Sequence, residues 1–369
     1  MKSLYHSLRA TEGVTAARNL ARTVLGNNRG NVSKAARILG CSRLCVRRAR
    51  EGPLEDYSRE PHHQPRKTQE SMELFVLDIR QQTGYGKRRL KKHLKAKYGF
   101  IMKEDTVAKI LKRGNVKKQV YKRSGKASKP LYDYENLIPF EEGQVDTKHV
   151  EDFGALGRVV FNLRRYGLPR YQWTYICAKT KIRFLAYSHS LEGQYGLLFL
   201  SLVTLWLRSC GVGTALRFQG DNGSEFCAGS KEKEVWLNEM LKPWDASFRS
   251  IPAGKKYLQG IVERSHRTDD EELYRPHLER IKSTEIFFRK AQMWQDTYNA
   301  LRPSWGVGMK GKTPLQKLKQ SAILVPEQIL HFPVIILDDL LRVLKTGNYL
   351  CNYYQMRKYE KVMRVIFFI

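Results

Sequence analysis

Three acidic residues in three different local settings constrain the fold of this chain more than any other feature. Asp146 comes near the end of a strand-like run, Asp221 comes directly after a second such run, and Glu263 lies within a helix-like run. Side chains from two strands and one helix can meet where the strands end at the same edge of a sheet. The three settings therefore predict an α/β core in which acidic side chains converge at one sheet edge.

Strands and helices alternate from about residue 132 onwards. Apolar and β-branched runs predict the strands, and a turn at Lys179–Lys181 predicts that two of them form a hairpin or meander. The predicted strands are residues 141–150, 170–178, 182–188, 214–218 and 247–251. The predicted helices are residues 192–208, a helix that contains Glu263, and residues 283–299. This order predicts a mixed sheet flanked by helices.

Residues 1–52 form a predicted helix-turn-helix module. Residues 14–51 have helical periodicity, Gly40 supplies a tight turn, and Ser42 is placed to cap a second helix. That second helix carries Arg43, Arg47, Arg48 and Arg50. A basic helix of this kind fits the major groove of DNA, so the four arginines are candidate DNA contacts. An ordinary basic helical hairpin would give the same pattern.

A second helix-turn-helix-like module is predicted at residues 70–114, after a linker interrupted by prolines. Helices are predicted over residues 72–81, from Thr83 and from Glu104. Its basic run supplies the candidate DNA contacts Lys87, Arg88 and Arg89. The basic linker that follows, residues 115–131, supplies Lys117, Lys118, Lys122 and Arg123. This linker is either an arm along the phosphate backbone of DNA or a solvated connection.

The charge balance favours a polyanionic partner. The 369 residues include 66 lysines and arginines against 36 aspartates and glutamates, which gives a formal net charge of +30. Nucleic acid is the simplest such partner, and a generally basic surface or a ribosome-associated protein is the alternative. The six cysteines lack the paired spacing of a zinc site, which favours reduced thiols in a cytosolic protein. The most apolar helical run, residues 195–207, is too short to cross a bilayer, so no membrane partner is expected.

The acidic pattern suggests metal-dependent phosphodiester chemistry. Hard divalent cations such as Mg²⁺ bind a few carboxylates together with water and phosphate, and two such ions assist both the attacking and the leaving oxygen. His266 and Arg267 follow Glu263 at helical spacing, so they could contact a carboxylate or a phosphate from the same helix face. Other acids of the core are expected to form turns or to be solvated, namely Glu225, Asp269, Asp270, Glu271 and Glu272.

The motifs around the three acids resemble those of the D,D,E integrase-core transposases of bacterial insertion sequences. Asp146 stands in Gln-Val-Asp-Thr-Lys, Asp221 in Asp-Asn-Gly-Ser-Glu-Phe, and Glu263 in Val-Glu-Arg-Ser-His-Arg-Thr. The run Gly84-Tyr-Gly-Lys-Arg-Arg-Leu resembles the motif before the family's core, and Tyr298-Asn-Ala-Leu-Arg-Pro resembles its ending. The resemblance covers roughly residues 30–320.

The resemblance implies a multidomain fold and an activity. The helical modules would precede a ribonuclease-H-like integrase core at residues 132–320, which resembles the core of retroviral integrases. Independently of the resemblance, short runs from Pro333 onwards alternate apolar and polar residues, which predicts a small β-rich segment at residues 321–369. The protein would bind the terminal inverted repeats of a mobile element, cleave a strand with water, and join the freed 3′-OH to target DNA. Synapsis of two DNA ends implies a homo-oligomer in the bacterial cytoplasm, associated with the nucleoid when bound to DNA, with no small-molecule substrate.

The resemblance also implies roles for individual residues. Asp146, Asp221 and Glu263 would be catalytic and would hold two Mg²⁺ ions, for which Mn²⁺ can substitute. The residues in support of them would be Asn222, His266 and Arg267.

Two departures from the family pattern lie before the third acid. Glu263 follows Asp221 by 42 positions, several more than is usual in the family, and residues 231–237 within this gap are predicted to be a surface helix. The lead into the catalytic helix reads Gly254-Lys-Lys-Tyr-Leu-Gln-Gly in place of the usual Pro/Asn-Gly. Two other functions remain open. One is a ribonuclease-H-like nuclease that cuts without joining, and the other is an inactive or domesticated transposase that binds DNA.

Overall fold

The computed structural model describes residues 3–57, 68–116, 132–227, 229–321 and 323–346. The chain divides into two compact units, Met1–Lys67 and Thr68–Ile369. The candidate contacts Lys117, Lys118, Lys122 and Arg123 lie outside the described residues. Most of the predicted basic linker and the last part of the predicted C-terminal segment, residues 347–369, also lie outside them.

In the described residues of the first unit, four helices surround an apolar core that is rich in alanine. The helices are α1 (Leu4–Thr11), α2 (Val14–Asn27), α3 (Val32–Leu39) and α4 (Arg43–Glu51). Buried alanines, among them Ala17, Ala21 and Ala35, let the helix backbones approach closely. The predicted turn at Gly40 is confirmed, because its φ of 64° is left-handed and a Cβ there would lie 2.8 Å from the Ser3 Cβ. The predicted cap is also confirmed, since the Ser42 hydroxyl accepts from the Cys45 N–H.

The second unit begins with a three-helix group. Its helices are α5 (Glu70–Thr83), α6 (Lys87–Tyr98) and α7 (Glu104–Arg113). Apolar side chains of the three helices form one cluster, with Val76 and Ile79 from α5, Leu90 and Leu94 from α6, and Val107 and Ile110 from α7. All six side chains are buried, so this group has a core of its own.

A five-stranded mixed sheet forms the centre of the second unit. Its strands are β1 (Glu142–His149), β2 (Tyr171–Cys177), β3 (Arg183–Ser188), β4 (Leu216–Gly220) and β5 (Ala246–Ser250). Their order in the sheet is β3-β2-β1-β4-β5. The pairs β1–β2 and β2–β3 are antiparallel, which confirms the predicted meander, whereas β4 runs parallel to both β1 and β5. The mixed sheet predicted from the alternating elements is therefore confirmed.

Helices cover both faces of this sheet. The helices after β1 are α8 (Phe153–Leu156), α9 (Phe161–Arg165), α10 (Gly193–Ser209), α11 (Lys231–Leu241), α12 (Gly260–Asp269), α13 (Arg275–His277), α14 (Thr284–Asp296), α15 (Pro314–Lys319) and α16 (Leu337–Thr346). Alternate residues of β3 divide between two apolar clusters. Phe184 lies in the cluster that contains the α10 side chains, and Leu185 lies in the cluster that contains the α14 side chains. This alternation is expected of a strand that is buried on both faces.

The predicted β-rich character of residues 321–369 is wrong for the part that the structure describes. Residues 327–331 form a 3₁₀ turn and α16 is an α-helix, while the strand-like contact is a single bridge from Ile336 to Tyr187. Leu337, Leu340, Leu341 and Leu344 recur at helical spacing and pack against the core. The helical period of these leucines therefore determines the local structure.

No helix in the described ranges combines the length and the apolar character needed to cross a membrane.

Candidate active site

The sheet places Asp146 and Asp221 on neighbouring strands. Asp221 directly follows β4, as predicted, but Asp146 lies inside β1 and not at its end, because pairing with β2 continues to His149. β4 runs parallel to β1, with Gln219 opposite Gln144, so the positions two residues further along both strands lie at one edge. Both aspartates are half-buried. The convergence of the two acids at a sheet edge therefore agrees with the sequence prediction.

Glu263 lies in the first turn of α12, a helix that packs against β1 and β2. Its side chain is exposed, unlike those of its neighbours Val262 and His266. The negative charge of Glu263 is near enough to raise the pKa of Asp146. The predicted strand–strand–helix arrangement of the three acids is therefore present in the structure.

Asp146 is the electrostatic centre of the site. Burial, together with the charges of Asp221, Glu225 and Glu263, raises the pKa of its carboxyl to about 8, against the lowering effect of a hydrogen bond from the Thr147 N–H. The ionised carboxylate is therefore costly in the absence of a cation. A divalent cation beside these oxygens would relieve the repulsion, so the donor set fits a hard, oxygen-binding metal such as Mg²⁺.

The turn after Asp221 is held by its own side chains. The Gly223 N–H donates to Asp221 Oδ1 at 2.9 Å, which forms a turn closed by the aspartate side chain. Asn222 Nδ2 donates to the Ile251 carbonyl at 2.9 Å. Asn222, predicted to support the catalytic acids, thus anchors the loop that carries Asp221 to the chain that follows β5.

His266 contacts Asp146 from one turn further along α12. Its Nδ1 lies 3.5 Å from Asp146 Oδ2, and its Nε2 lies 3.1 Å from the Thr174 hydroxyl. Burial lowers the pKa of His266 to about 3, so the imidazole is neutral at physiological pH. The predicted bond to a carboxylate fits this geometry, whereas a direct contact with a DNA phosphate does not, since the ring is buried.

Arg267 is partly buried and forms an ion pair within its own helical stretch. Its Nε donates to Glu271 Oε1 at 3.1 Å, four residues further on, and its side chain is about a third exposed. A phosphate clamp at Arg267 therefore stays a prediction. Such a clamp would have to compete with this ion pair.

Glu225 is a fourth carboxylate at the site, and its predicted solvation is wrong. It is only 5% exposed, it accepts a hydrogen bond from the Thr147 hydroxyl, and its charge acts on Asp146. Gly196 makes this burial possible, because a Cβ at that position of α10 would lie 2.0 Å from the Glu225 carbonyl oxygen. Local sequence does not reveal this burial, because Thr147 and Gly196 are both distant from Glu225 in the chain.

Three other acids expected to be solvated are buried ion-pair partners. Asp269 is completely buried and lies 2.6 Å from Arg183 Nη1. Glu272 accepts from both Arg302 and Arg89. Asp270 accepts from a lysine of β1, as described below. Asp269 is the last residue of α12, and Asp270 and Glu272 lie in the π-helical segment 270–274 that continues it. Their cationic partners are distant in sequence, so local pattern could not reveal them.

The candidate DNA contacts differ in exposure. Arg43, Arg47, Arg48 and Arg50 are all exposed on α4. Lys87 and Arg88 are also exposed, and both pair with Glu104. Arg89 is different, because it donates to Glu272 Oε1 at 2.9 Å and to the Pro303 carbonyl at 3.2 Å. The DNA contact of Arg89 therefore stays a prediction, and it would have to compete with this internal ion pair.

A closed metal site is not preassembled. Among the residues that the structure describes, no three carboxylate, imidazole or thiol side chains are grouped closely enough to hold a metal ion. The two aspartates share an edge, but the third acid is exposed.

Comparison with known proteins gives distant structural matches only. No family model and no curated protein matches the chain. A simian T-cell lymphotropic virus intasome, in complex with PP2A regulatory subunit B56 gamma, has a chain that is similar at 14% identity and a TM-score of 0.37, over 68% of this chain and 77% of that one. The catalytic core domain of BIV integrase is similar at 18% identity and a TM-score of 0.33, over 49% of this chain and 95% of that one. The HTLV-2 integrase catalytic core domain, in complex with magnesium, gives the same identity and TM-score over 49% and 97%. The fold assignment therefore rests on the order and directions of the strands.

Proposed function

We propose that the protein is a metal-dependent DNA transposase or integrase that cleaves the ends of a mobile element and joins them to target DNA. The observation that carries this proposal is that two neighbouring strands and the helix packed against them carry Asp146, Asp221 and Glu263, and that burial, together with the charges of Asp221, Glu225 and Glu263, raises the pKa of Asp146 to about 8. A site that concentrates negative charge in this way is suited to cations and phosphodiester chemistry.

The proposed metal ligands are Asp146, Asp221 and Glu263. Two Mg²⁺ ions, or Mn²⁺ in their place, would supply activation of the attacking oxygen and stabilisation of the leaving oxygen. The protein's part is positional: β1 and β4 fix the two aspartates, and α12 carries Glu263, whose exposed side chain can turn towards them. His266 holds Asp146 as a neutral partner, and Asn222 holds the loop of Asp221. Arg267 is proposed to contact a DNA phosphate.

The proposed reaction has two phosphoryl-transfer steps. In the first, water attacks a phosphodiester at the element end, which breaks the P–O3′ bond and leaves a 3′-OH and a 5′-phosphate. In the second, this 3′-OH attacks a phosphodiester of the target, forms a new bond to phosphorus and releases a 3′-OH of the target strand. No covalent protein–DNA bond is formed: the first step hydrolyses one ester bond, and the second exchanges one ester bond for another.

The proposed partners are DNA and further copies of the chain. The exposed arginines of α4, with Lys87, Arg88 and the basic residues of the linker, would bind the terminal inverted repeats and the target. Synapsis of two ends requires a homo-oligomer. The proposed location is the bacterial cytoplasm, in association with the nucleoid, and neither a membrane nor a small-molecule substrate is part of the proposal.

A strand-transfer assay tests the function. The wild type, the variant Asp221→Asn and the control Asp245→Asn are each incubated with labelled element-end DNA and Mg²⁺. The control changes an exposed aspartate. Asp245 has a left-handed backbone conformation, which asparagine also tolerates. We expect joined products from the wild type and the control. The activity of Asp221→Asn should fall by more than ~10–100-fold, the range for removal of a residue that only contacts a metal ligand.

The remaining outcomes separate the alternatives. Cleavage without joining would identify a nuclease, and tight binding without cleavage would identify a DNA-binding protein. Full cleavage by Asp221→Asn would contradict the assignment of the site.

A further inference from the structure

Three residues of β1 face the catalytic helix together. Gln144, Asp146 and Lys148 alternate along the strand, so their side chains leave the same face of the sheet. Asp146 meets His266 of α12, as described above. The residues on either side of Asp146 reach the same helix at its two ends, which makes the strand face a continuous contact surface for α12.

Gln144 binds the beginning of α12. Its Oε1 accepts from the N–H groups of Ile261 and Val262 at 3.1 and 3.0 Å. The first N–H groups of a helix have no partner within the helix, and Gln259, which precedes α12, makes no side-chain cap. Gln144 therefore caps α12 from a neighbouring strand, and its side chain is fully buried. The second amide that it binds, that of Val262, directly precedes Glu263.

The same amide group also holds the loop that leads into α12. Gln144 Nε2 donates to the Leu258 carbonyl at 2.7 Å. One side chain therefore satisfies backbone groups on both sides of the point where α12 begins. This lead-in is the segment in which the sequence departs from the transposase pattern.

Lys148 binds the other end of α12. Its Nζ donates to Asp270 Oδ2 at 2.9 Å, and both side chains are only about a tenth exposed. Asp270 is the first residue of the π-helical segment. An ion pair so far out of water has a strong preference for one geometry, because separating the charges leaves each of them buried without a partner.

The spacings of the two elements match. The contacted positions on α12 are Val262, His266 and Asp270, four residues apart, which corresponds to about 6 Å along a helix. The contacting positions on β1 are two residues apart, which corresponds to about 6.6 Å along a strand. The similar spacing allows three successive residues on one face of β1 to contact three successive positions on one face of α12 and its continuation. A shift of α12 along its axis or about it would break all three together.

We propose that Gln144 and Lys148 are positioning residues that fix the register of α12 against β1 and thereby bring Glu263 to the two aspartates. This inference rests on the proposed function for its catalytic consequence, but the registration itself is independent of any reaction. Neither residue is proposed to touch DNA or metal. They act through the helix that carries the third acid.

A matched pair of variants tests the proposal at Gln144. Gln144→Leu removes the bond to the Leu258 carbonyl, a bond to the Tyr132 hydroxyl and the two bonds from α12. Gln219→Leu removes a bond to the same Leu258 carbonyl and one from Arg249, but Gln219 has no bond to the α12 amides in the described structure. The two variants therefore differ chiefly in the cap.

Hydrogen exchange of the peptide that begins at Gly260 is the first measurement. We expect the amides of Ile261 and Val262 to exchange faster in Gln144→Leu than in Gln219→Leu. Gln144→Glu, which keeps an acceptor oxygen, should retain protection and also serves if the leucine variant does not fold. Equal exchange in all three variants would overturn the proposal, whether or not the protein cleaves DNA.

Metal-dependent cleavage is the second measurement. Gln144→Leu and Lys148→Met should raise the Mg²⁺ concentration for half-maximal cleavage and lower the rate ~10–100-fold, the range for loss of an outer-shell partner. Gln219→Leu should leave the Mg²⁺ requirement unchanged. A common loss of activity in all variants, in proportion to stability, would overturn the proposal. Absence of cleavage in the wild type would instead contradict the proposed function, and hydrogen exchange would still decide the registration.

Discussion

At the scale of single residues, the site is governed by the cost of placing several carboxylates together. The Asp146 carboxyl is held among Asp221, Glu225 and Glu263 and is largely withdrawn from water, and its pKa of about 8 reflects both effects. A folded protein that must keep this group ionised at neutral pH gives up stability. The same arrangement favours any cation that can share the oxygens, so the instability and the proposed activity have one cause.

The first prediction concerns the pH dependence of stability without metal. The ordinary pKa of 3.8 applies to Asp146 in the unfolded chain, and burial together with neighbouring charges raises the folded-state pKa to about 8. Between those values the folded protein binds more protons than the unfolded one, so stability falls as pH rises. Asp146→Asn removes this ionisation. The free energy of unfolding of the variant, relative to that of the wild type, should therefore increase by more than about 1 kcal/mol as the pH rises between the two pKa values.

Urea unfolding in chelator from about pH 4 to pH 8 measures this difference. Asp245→Asn is the control, because it changes an exposed acid and should follow the wild type. Saturating Mg²⁺ should reduce the gain, since the cation favours the Asp146 carboxylate. A difference that does not change with pH would contradict the environment described for Asp146.

The second prediction concerns Glu225. Its carboxylate is buried, accepts from the Thr147 hydroxyl and adds to the charge around Asp146. Glu225→Gln keeps the shape and an acceptor oxygen but removes the charge, so the Mg²⁺ concentration for half-maximal cleavage should rise ~10–100-fold. Thr147→Val, which removes the hydrogen bond and keeps the charge, should have the smaller effect. Equal effects would show that the hydrogen bond, and not the charge, is what matters.

The roles of these acids differ in how far the sequence could reveal them. Asp146, Asp221 and Glu263 were predicted as a group because each lies in a distinctive local motif. Glu225 was not, because its contact with Thr147 joins residues 78 positions apart and depends on a glycine of α10. Local sequence carries the identity of a motif, whereas burial of a charge depends on partners that only the fold brings near.

At the scale of elements, the periodicity of apolar residues predicted most strands and helices, but not the direction of the acids at the end of α12. Burial of these acids follows from their cations, which come from β1, from β3, from α6 and from the chain after α14. The C-terminal part shows a similar limit, because apolar residues that alternate with polar ones from Pro333 onwards suggested strands, whereas leucines at helical spacing form α16. Short apolar runs do not distinguish the two structures by period alone.

The third prediction concerns the buried pair of Asp269 and Arg183. Both side chains are fully buried, and Asp269 also accepts from Trp294 Nε1 and Gln172 Nε2. Asp269→Asn would leave Arg183 without its counter-charge, so we expect a loss of about 3–5 kcal/mol in the free energy of unfolding. Glu327→Gln is the control, since its pair with Lys319 is exposed and should be worth less than about 1 kcal/mol. Urea unfolding checks both, and similar losses would contradict the burial of the pair.

At the scale of the whole molecule, charge is the dominant property. The net charge of +30 and the exposed arginines of α4 give a surface suited to a polyanion. Composition predicted this property directly, because net charge does not depend on the fold. The exposure of individual basic residues does depend on the fold, since Arg89 is partly buried in an ion pair with Glu272.

The last prediction concerns the salt dependence of DNA binding. If several phosphates are neutralised, affinity should fall by about 10³–10⁵ between 50 and 200 mM salt, the range for six to ten phosphate contacts. Fluorescence anisotropy with labelled duplexes measures this slope. A response that is nearly flat would count against phosphate contacts as the main source of affinity.

Substitutions in α4 separate positioning contacts from base contacts. If Arg47 contacts phosphate, Arg47→Ala should weaken binding equally for element-end and unrelated DNA and lower the salt slope by about one. If Arg47 contacts a base, the loss should be about 1–3 kcal/mol for the element end and should be absent for other sequences. Lys319→Ala, which changes an exposed lysine already paired with Glu327, is the control. Arg47→Ala binding both DNAs as the wild type does would mean that Arg47 is not a DNA contact, because an exposed arginine that binds DNA cannot be removed without either effect.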